Sequence, residues 1–249
     1  IIKYLKENSI EFLILGNGSN IILSKQKYKI VIKLDKLNII LIKGNIVEAE
    51  CGVNLVKLLN ICTERGLSGL EFLASIPGQV GASTKNNTGA FEKSIGDYVI
   101  EVKALDENYN IVTLENKDIR FKYRSSIFKE NTNLIVVSTT FKLNMTSPEI
   151  IKNKIIDYKK IRLNNQPYDL PNAGCVFKNP KDLSAGKLIE SLSLRGYNIG
   201  GAMVSKKHAN FIVNKRNATG EDIINLIEYI KEKVKLKYNI ELELEQEIV

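Results

Sequence analysis

Apolar positions fall into short alternating runs in the first half of the chain and into helical spacings in the second. Phe12–Leu15, Ile21–Leu23, Lys29–Lys33, Asn38–Ile42 and Ile46–Ala49 are each bounded by Gly, Asn, Asp or Ser and predict strands. Ile1–Ile10 has the spacing of an amphipathic helix interior, so the natural chain is expected to begin upstream of it. Asn54 caps a helix with apolar Leu55, Leu58, Leu59 and Cys62, ending at Gly66. Val99–Leu105 and Ile111–Leu114 flank Asp106–Asn110 as a hairpin, and Leu134–Leu143 predicts a further strand. Pro148 opens a helix to about Asn165, which Gln166–Pro167 stops. That proline is the expected domain boundary, giving residues 1–147 and 148–249. Beyond it the pattern predicts a helix from Ser184 stopped by Gly196 and a strand at Ala209–Asn214. A capping box at Thr219–Asp222 then opens a helix to Lys237, and Ile240–Val249 is a last strand. The expected class is α+β, without internal repeats.

Two stretches break this pattern. Ser68–Ala90 is crowded with Gly, Ala, Ser, Thr and Asn, too small in side chain to read as core and too long for a simple turn. Pro171–Pro180 is a second glycine-marked loop. Loops of this kind usually carry function.

The 249 residues are 44% hydrophobic and 26% charged, enough for a real core. No apolar run reaches the ~20 residues of a membrane helix, and none reads as a secretory leader. The net charge of +8 comes from scattered lysines without a basic block. It reads as a solvated surface rather than a nucleic-acid interface, although its potential favours polyanionic small ligands. Cys51, Cys62 and Cys175 are odd in number and form no C-x-x-C. They suggest neither a disulfide framework nor a zinc site, and fit a reducing cytoplasm. The single histidine, His208, excludes His-rich metal chemistry.

Six segments have chemical potential, each with a plainer alternative. Gly16-Asn17-Gly18-Ser19-Asn20 follows a strand; its glycines admit a pyrophosphate, but a strand follows where a dinucleotide fold needs a helix, and a plain turn also fits. Ile76–Phe91, with Gly78, Gly81, Ala82, Gly89 and Ala90, exposes backbone that suits the edge of a flat ligand such as an isoalloxazine. A surface loop would be expected to carry more charge. Tyr123-Arg124 offers a planar cationic fork for a carboxylate or enolate, or a surface arginine. Asn172–Pro180 presents Cys175 beside Lys178 and Asn179, or buries an inert thiol. Val204–Asn214 contains Ser205, Lys206 and His208, and a lone histidine is more often structural. In Leu242–Glu247, alternation puts Glu243, Glu245 and Glu247 on one face, which is also the pattern of a solvated edge.

Their order and spacing say more than any one of them. G-x-G-S-N, I-P-G-x-V-G with N-x-G-A, Y-R-x-S, A-G-x-x-F-K-N-P, S-x-x-H-A-N-F-I-V-N and a Glu-bearing terminal strand together resemble the UDP-N-acetylenolpyruvoylglucosamine reductases, from about Glu11 to Val249. The resemblance implies a two-part FAD-binding domain of the vanillyl-alcohol-oxidase/PCMH type, followed by a C-terminal α+β substrate domain. Gly16, Asn17, Gly18, Ser19 and Asn20 would hold the pyrophosphate. Ile76, Pro77, Gly78, Gly81, Ala82, Asn87, Gly89 and Ala90 would line the flavin. Arg124 and Glu245 would be the polarising pair and Cys175 the proton donor. Tyr123, Lys178, Asn179, Ser205, Lys206 and His208 would touch substrate. The chain departs from the family in having Cys175 for the usual Ser, Gly81-Ala82 for Gly-Gly and Gln246 where Val usually follows the catalytic Glu. It lacks room for the tyrosine lid of the longer subtype, and a further N-terminal segment is expected in the flavin domain.

The implied reaction is reduction of the enolpyruvyl ether of a UDP-sugar, UDP-N-acetylglucosamine enolpyruvate, to UDP-N-acetylmuramate for peptidoglycan. NADPH is co-substrate, hydride comes from N5 of reduced FAD and the proton from Cys175. A cytoplasmic monomer with no nucleic-acid, membrane or metal partner is expected. Two alternatives are another FAD-dependent oxidoreductase of the same fold and a non-catalytic flavin- or sugar-nucleotide-binding relative. The first needs a C-terminal half without the A-G-C-V-F-K-N-P pattern, and the second needs loss of Arg124, Cys175 or Glu245.

Overall fold

The alternating runs of the first half pair into a five-stranded antiparallel sheet in the computed structural model, which describes residues 1–24 and 27–249. Across the sheet the order is Ile111–Glu115, Val99–Leu105, Ile135–Lys142, Ile46–Glu50 and Ile40–Lys43. One face buries Val47, Ala49, Val102, Ala104, Val136 and Phe141. Helix Leu55–Glu64 adds Leu55, Leu58, Leu59 and Cys62 to the same core; its cap is the Asn54 side chain, which accepts the Val56 N–H at 2.8 Å. On the sheet's other face Glu48 accepts bonds from Lys103 Nζ (2.7 Å) and Ser138 Oγ (2.8 Å), so one carboxylate ties three neighbouring strands. The lysine bond, the larger effect, holds that carboxyl below its ordinary value.

The chain divides into two compact units, one of Ile1–Asn17 with Tyr28–Lys160 and one of Gly18–Lys27 with Ile161–Val249. The division falls inside helix Pro148–Asn165, whose first residue is the proline read as a boundary. The second unit has an antiparallel sheet ordered Asn172–Cys175, Phe211–Asn214, Ala202–Val204 and Asn198–Ile199. Val176, Ala202, Val204 and Ile212 pack with Ile189 of helix Ala185–Ser191 and with Leu226, Ile227, Ile230 and Val234 of helix Gly220–Tyr238. Ile21–Ile22 pairs in parallel with Glu247–Ile248 within this unit.

Three expectations change. Ser68–Ala90 does contribute core: Leu70, Phe72, Leu73, Ala74 and Val80 are buried, and Val80–Lys85 is a short helix. Its small residues permit burial rather than prevent it, since a Cβ at Gly81 would fall 2.7 Å from the Cys51 Cβ. The helix from Ser184 ends at Ser191, before Gly196, because Ser193 turns left-handed (φ +57) and donates back to the Glu190 carbonyl. The terminal segment keeps its alternation, with Leu242 and Gln246 buried, but only Glu247–Ile248 forms a strand; Leu244 makes a single bridge to Phe177.

Thr219 accepts the Asp222 N–H at 3.1 Å while the Asp222 carboxylate accepts the Thr219 N–H, as the capping box requires. Thr219→Ala is expected to destabilise the second unit by about 1 kcal/mol, a typical cap loss. Thermal unfolding followed by circular dichroism checks this; an unchanged midpoint would mean the cap is redundant.

Candidate active site

In the first unit, hydrogen bonds join two of the segments singled out by sequence. Asn87, buried and left-handed at φ +44, donates through Nδ2 to the Lys122 carbonyl (2.8 Å) and accepts the Gly96 N–H (2.9 Å). Ser126 Oγ donates to the Lys85 carbonyl at 2.7 Å. Arg124 Nη2 donates to the Gly89 carbonyl at 2.7 Å, and a Cβ at Gly89 would fall 3.1 Å from Arg124 Nη1. The tight turn that carries Arg124, itself at φ +53, is closed by reciprocal bonds between Lys122 and Ser125. Tyr123 is 52% exposed, and its ring lies 5.1 Å from the guanidinium carbon, a cation–π contact.

Gly89 belongs to a small hairpin in which Gly89–Ala90 pairs with Lys93–Ser94. Its two turn residues, Phe91 and Glu92, both take positive φ (+54 and +59), a conformation that normally selects Asn or Gly. The Phe91 ring stacks on Tyr158 with centroids 4.0 Å apart, which anchors the turn. Strain of this kind is held by its surroundings, and here it lies next to the carbonyl that receives Arg124.

The G-x-G segment meets Ile76–Phe91 at Gly16. A Cβ there would fall 3.1 Å from Gln79 Oε1 and 3.5 Å from the Ala82 methyl. Gln79, buried, donates to Asp35 at 2.7 Å, and Lys33 donates to the Gly16 carbonyl at 3.0 Å. Gln79 is therefore a part of this site that sequence reading passed over; its one signal was a polar residue inside an otherwise small, apolar motif. Ile76 is half-buried, Pro77 and Ala82 are exposed, Gly78 is buried at φ +155, and Ala90 is half-buried. Gly18 (φ +69), Ser19 and Asn20 belong to the second unit.

There the terminal segment runs between the Asn20 and Cys175 segments. Asn20 Nδ2 donates to the Glu245 carbonyl (3.1 Å), and its own carbonyl accepts the Glu247 N–H (3.0 Å). On the other side, Glu245 N–H donates to the Val176 carbonyl (2.9 Å), and the buried Gln246 carboxamide donates to the Ala173 (2.9 Å) and Gly174 (3.2 Å) carbonyls. Cys175, half-buried, pairs with Phe211 across the sheet. Paired residues share a face, and Phe211 shares it with Val213 two residues on. Val213 and Met203 lie along a cavity of about 400 Å³ whose rim includes Tyr168, Lys206 and Lys207.

The remaining candidates do structural work that can be named. Lys178 pairs with Glu243 at 3.1 Å. Asn179 Oδ1 accepts the Ala185 N–H (3.1 Å) at the start of a helix. Buried Ser205 accepts the Lys207 and His208 N–H groups. His208 Nδ1 accepts the Asn210 N–H (3.2 Å), and its ring meets the Phe211 edge at 4.9 Å. Burial, then the Arg195 charge, lowers its pKa and so favours the neutral acceptor form. Asn210, also passed over, bonds both backbone groups of Phe177 through its side chain and ties the Cys175 strand to its neighbour.

Comparison with known proteins agrees across the chain. The profile of the UDP-N-acetylenolpyruvoylglucosamine reductase C-terminal domain matches residues 166–249, and that of an FAD binding domain matches residues 1–115. UDP-N-acetylenolpyruvoylglucosamine reductase of Caldanaerobacter subterraneus subsp. tengcongensis is 42% identical over 250 residues, covering 100% of this chain and 82% of the relative. That of Thermotoga maritima is 44% identical over 241 residues, covering 96% and 84%. The crystal structure of the Thermus caldophilus reductase superposes with a TM-score of 0.84 at 30% identity, covering 100% of this chain and 89% of that one.

The three thiols differ in setting. Burial, the largest effect, pushes the Cys51 thiol up to about 11 and the Cys62 thiol up to about 12. Iodoacetamide at pH 8 is therefore expected to modify Cys175 first, because the thiolate is the nucleophile. Peptide mass mapping at partial modification checks this, and equal labelling of the three would contradict the burial assigned to Cys51 and Cys62.

Proposed function

The chain belongs to the UDP-N-acetylenolpyruvoylglucosamine reductases, and from that premise we propose that Arg124, Cys175 and Glu245 carry its chemistry. It is an FAD-dependent oxidoreductase that reduces UDP-N-acetylglucosamine enolpyruvate to UDP-N-acetylmuramate with NADPH, in peptidoglycan precursor synthesis. The observation that carries the Arg124 assignment is the pair of hydrogen bonds from Asn87 to the Lys122 carbonyl and from Arg124 to the Gly89 carbonyl. It ties the flavin-lining segment to the cationic fork.

The residues present fit the cofactor. Gly16 lies against Ala82, where a Cβ would press on Gln79, and at Gly89 a Cβ would meet the Lys93 carbonyl, so both positions leave backbone uncovered by side chain. Such a surface suits a flat ligand bonded mainly by backbone groups. FAD held by Gly16, Ala82, Gly89 and Ala90 would supply the redox chemistry, the hydride of NADPH ending on the enolpyruvyl carbon remote from the carboxylate. Arg124 stabilises the negative charge that the adjacent carbon shares with the substrate carboxylate. Cys175 gives its thiol proton to that carbon, and solvent later reprotonates the thiolate. Glu245 completes the polarising pair, its backbone held on both sides by Val176 and Asn20.

Tyr123, Lys178 and Lys206 are assigned to substrate contact, and Lys206 borders the cavity lined by Met203 and Val213. Asn179, Ser205 and His208 act through the backbone they hold. A cytoplasmic, monomeric enzyme serving cell-wall growth, and through it cell shape and division, belongs to the same reading. Among the described residues no helix is long and apolar enough to cross a membrane.

Stopped-flow absorbance separates the two half-reactions. Arg124→Lys keeps the charge and loses the fork; reoxidation of reduced flavin by the UDP-sugar is expected to fall at least ~100-fold, with reduction by NADPH much less affected. Equal damage to both half-reactions would make Arg124 structural. Cys175→Ser should retain useful turnover, since a hydroxyl can donate. Cys175→Ala should leave reduction by NADPH intact and cripple lactyl product formation. Reoxidation and product formation at the wild-type rate in Cys175→Ala would remove Cys175 from the mechanism.

A further inference from the structure

We propose that Gln246 is a positioning residue for the Cys175 thiol, acting through the two peptide carbonyls that precede it. The inference rests on the reading of Cys175 as proton donor. Gln246 is 5% exposed, and its Nε2 donates to the carbonyls of Ala173 and Gly174 at 2.9 and 3.2 Å. Those carbonyls belong to the peptide planes on either side of Gly174. Gly174 sits at φ +80 with nothing within 4 Å of where a Cβ would stand, so packing does not hold it. It also lies in a bulge, because the four residues Asn172–Cys175 oppose the three residues Phe211–Val213. The Asn172 side chain fixes only the Gly174 N–H, at 3.0 Å.

Gln246 therefore adds a second hold on the Ala173–Gly174 plane, whose N–H Asn172 bonds, and holds the Gly174–Cys175 plane through its carbonyl, and with it the direction in which the Cys175 side chain leaves the backbone. Its own backbone is anchored, since Glu245 N–H bonds Val176 and Glu247 N–H bonds Asn20. The chemistry is specific to a carboxamide, which offers two N–H donors without charge. A carboxylate would set acceptor against acceptor, and a thioether of similar size would offer no donor.

Gln246→Met and Gln246→Glu test this in the FAD-loaded enzyme. Reduction of flavin by NADPH should stay near wild type in both. Reoxidation by the UDP-sugar should fall about 10-fold, the scale of one neutral hydrogen bond. Alkylation of Cys175 by iodoacetamide, measured without substrate, should quicken severalfold as the thiol loses its fixed direction. In Gln246→Glu the reoxidation deficit should shrink as pH falls and the carboxyl regains one donor. The double variant Cys175→Ala with Gln246→Met should be no slower than Cys175→Ala alone, because the two act through one group. Wild-type reoxidation in Cys175→Ala sinks the proton-donor reading by itself, and the alkylation rate then still decides whether Gln246 positions the thiol. Wild-type alkylation and reoxidation in the Gln246 variants overturn the inference, as does a double variant clearly slower than Cys175→Ala. If Gln246→Met does not fold, the pH dependence of Gln246→Glu decides.

Discussion

Helix Val80–Lys85 can lie where it does only because residue 81 has no side chain. A Cβ there would overlap the Cys51 Cβ at 2.7 Å, on the end of a central strand of the sheet. With the helix seated on the sheet, Ala82 comes into contact range of Gly16, and the chain that leaves the helix brings Asn87 and Gly89 to the Tyr123-Arg124 turn. One close backbone approach thus sets the relation among three separate segments. It also explains why a stretch with so little side-chain bulk is buried.

The second unit meets a similar need by different means. Where the first brings backbone close by omitting side chains, the second uses polar side chains as substitutes for backbone partners. Asn210 bonds the N–H and carbonyl of Phe177, as a neighbouring strand would. Gln246 bonds two carbonyls of a bulged strand, and the Asn20 carboxamide bonds the Glu245 carbonyl. Each is a neutral amide, which can satisfy peptide groups without the desolvation cost of a buried charge.

The elements legible in the sequence are those whose signals are local. Asn54, Pro148 and Thr219 mark helix starts that the structure reproduces, since a cap acts within four residues of itself. The Val99–Glu115 hairpin was legible for the same reason, with Asp106 accepting the Asn108 and Asn110 N–H groups in its turn. Burial of Ser68–Ala90 was not, because small residues report how closely backbones can approach but not what approaches them. Gln246 reads in sequence only as a departure from a family pattern; its role depends on carbonyls more than seventy residues away. The two-segment make-up of the second unit was hidden for the same reason, since parallel pairing of Ile21–Ile22 with Glu247–Ile248 leaves no local trace.

That pairing has a consequence for synthesis on the ribosome. Ile21 and Ile22 leave the ribosome some 226 positions ahead of their partner strand, Glu247–Ile248. At roughly 5–20 residues per second, the wait is on the order of 10–45 s. During it Ile21–Ile22 has no native partner strand, and both isoleucines remain without their final cover. The nascent chain therefore carries a small adhesive site at Ile21–Ile22 until Glu247–Ile248 has been made, where a chaperone that holds short apolar segments has a long opportunity to act.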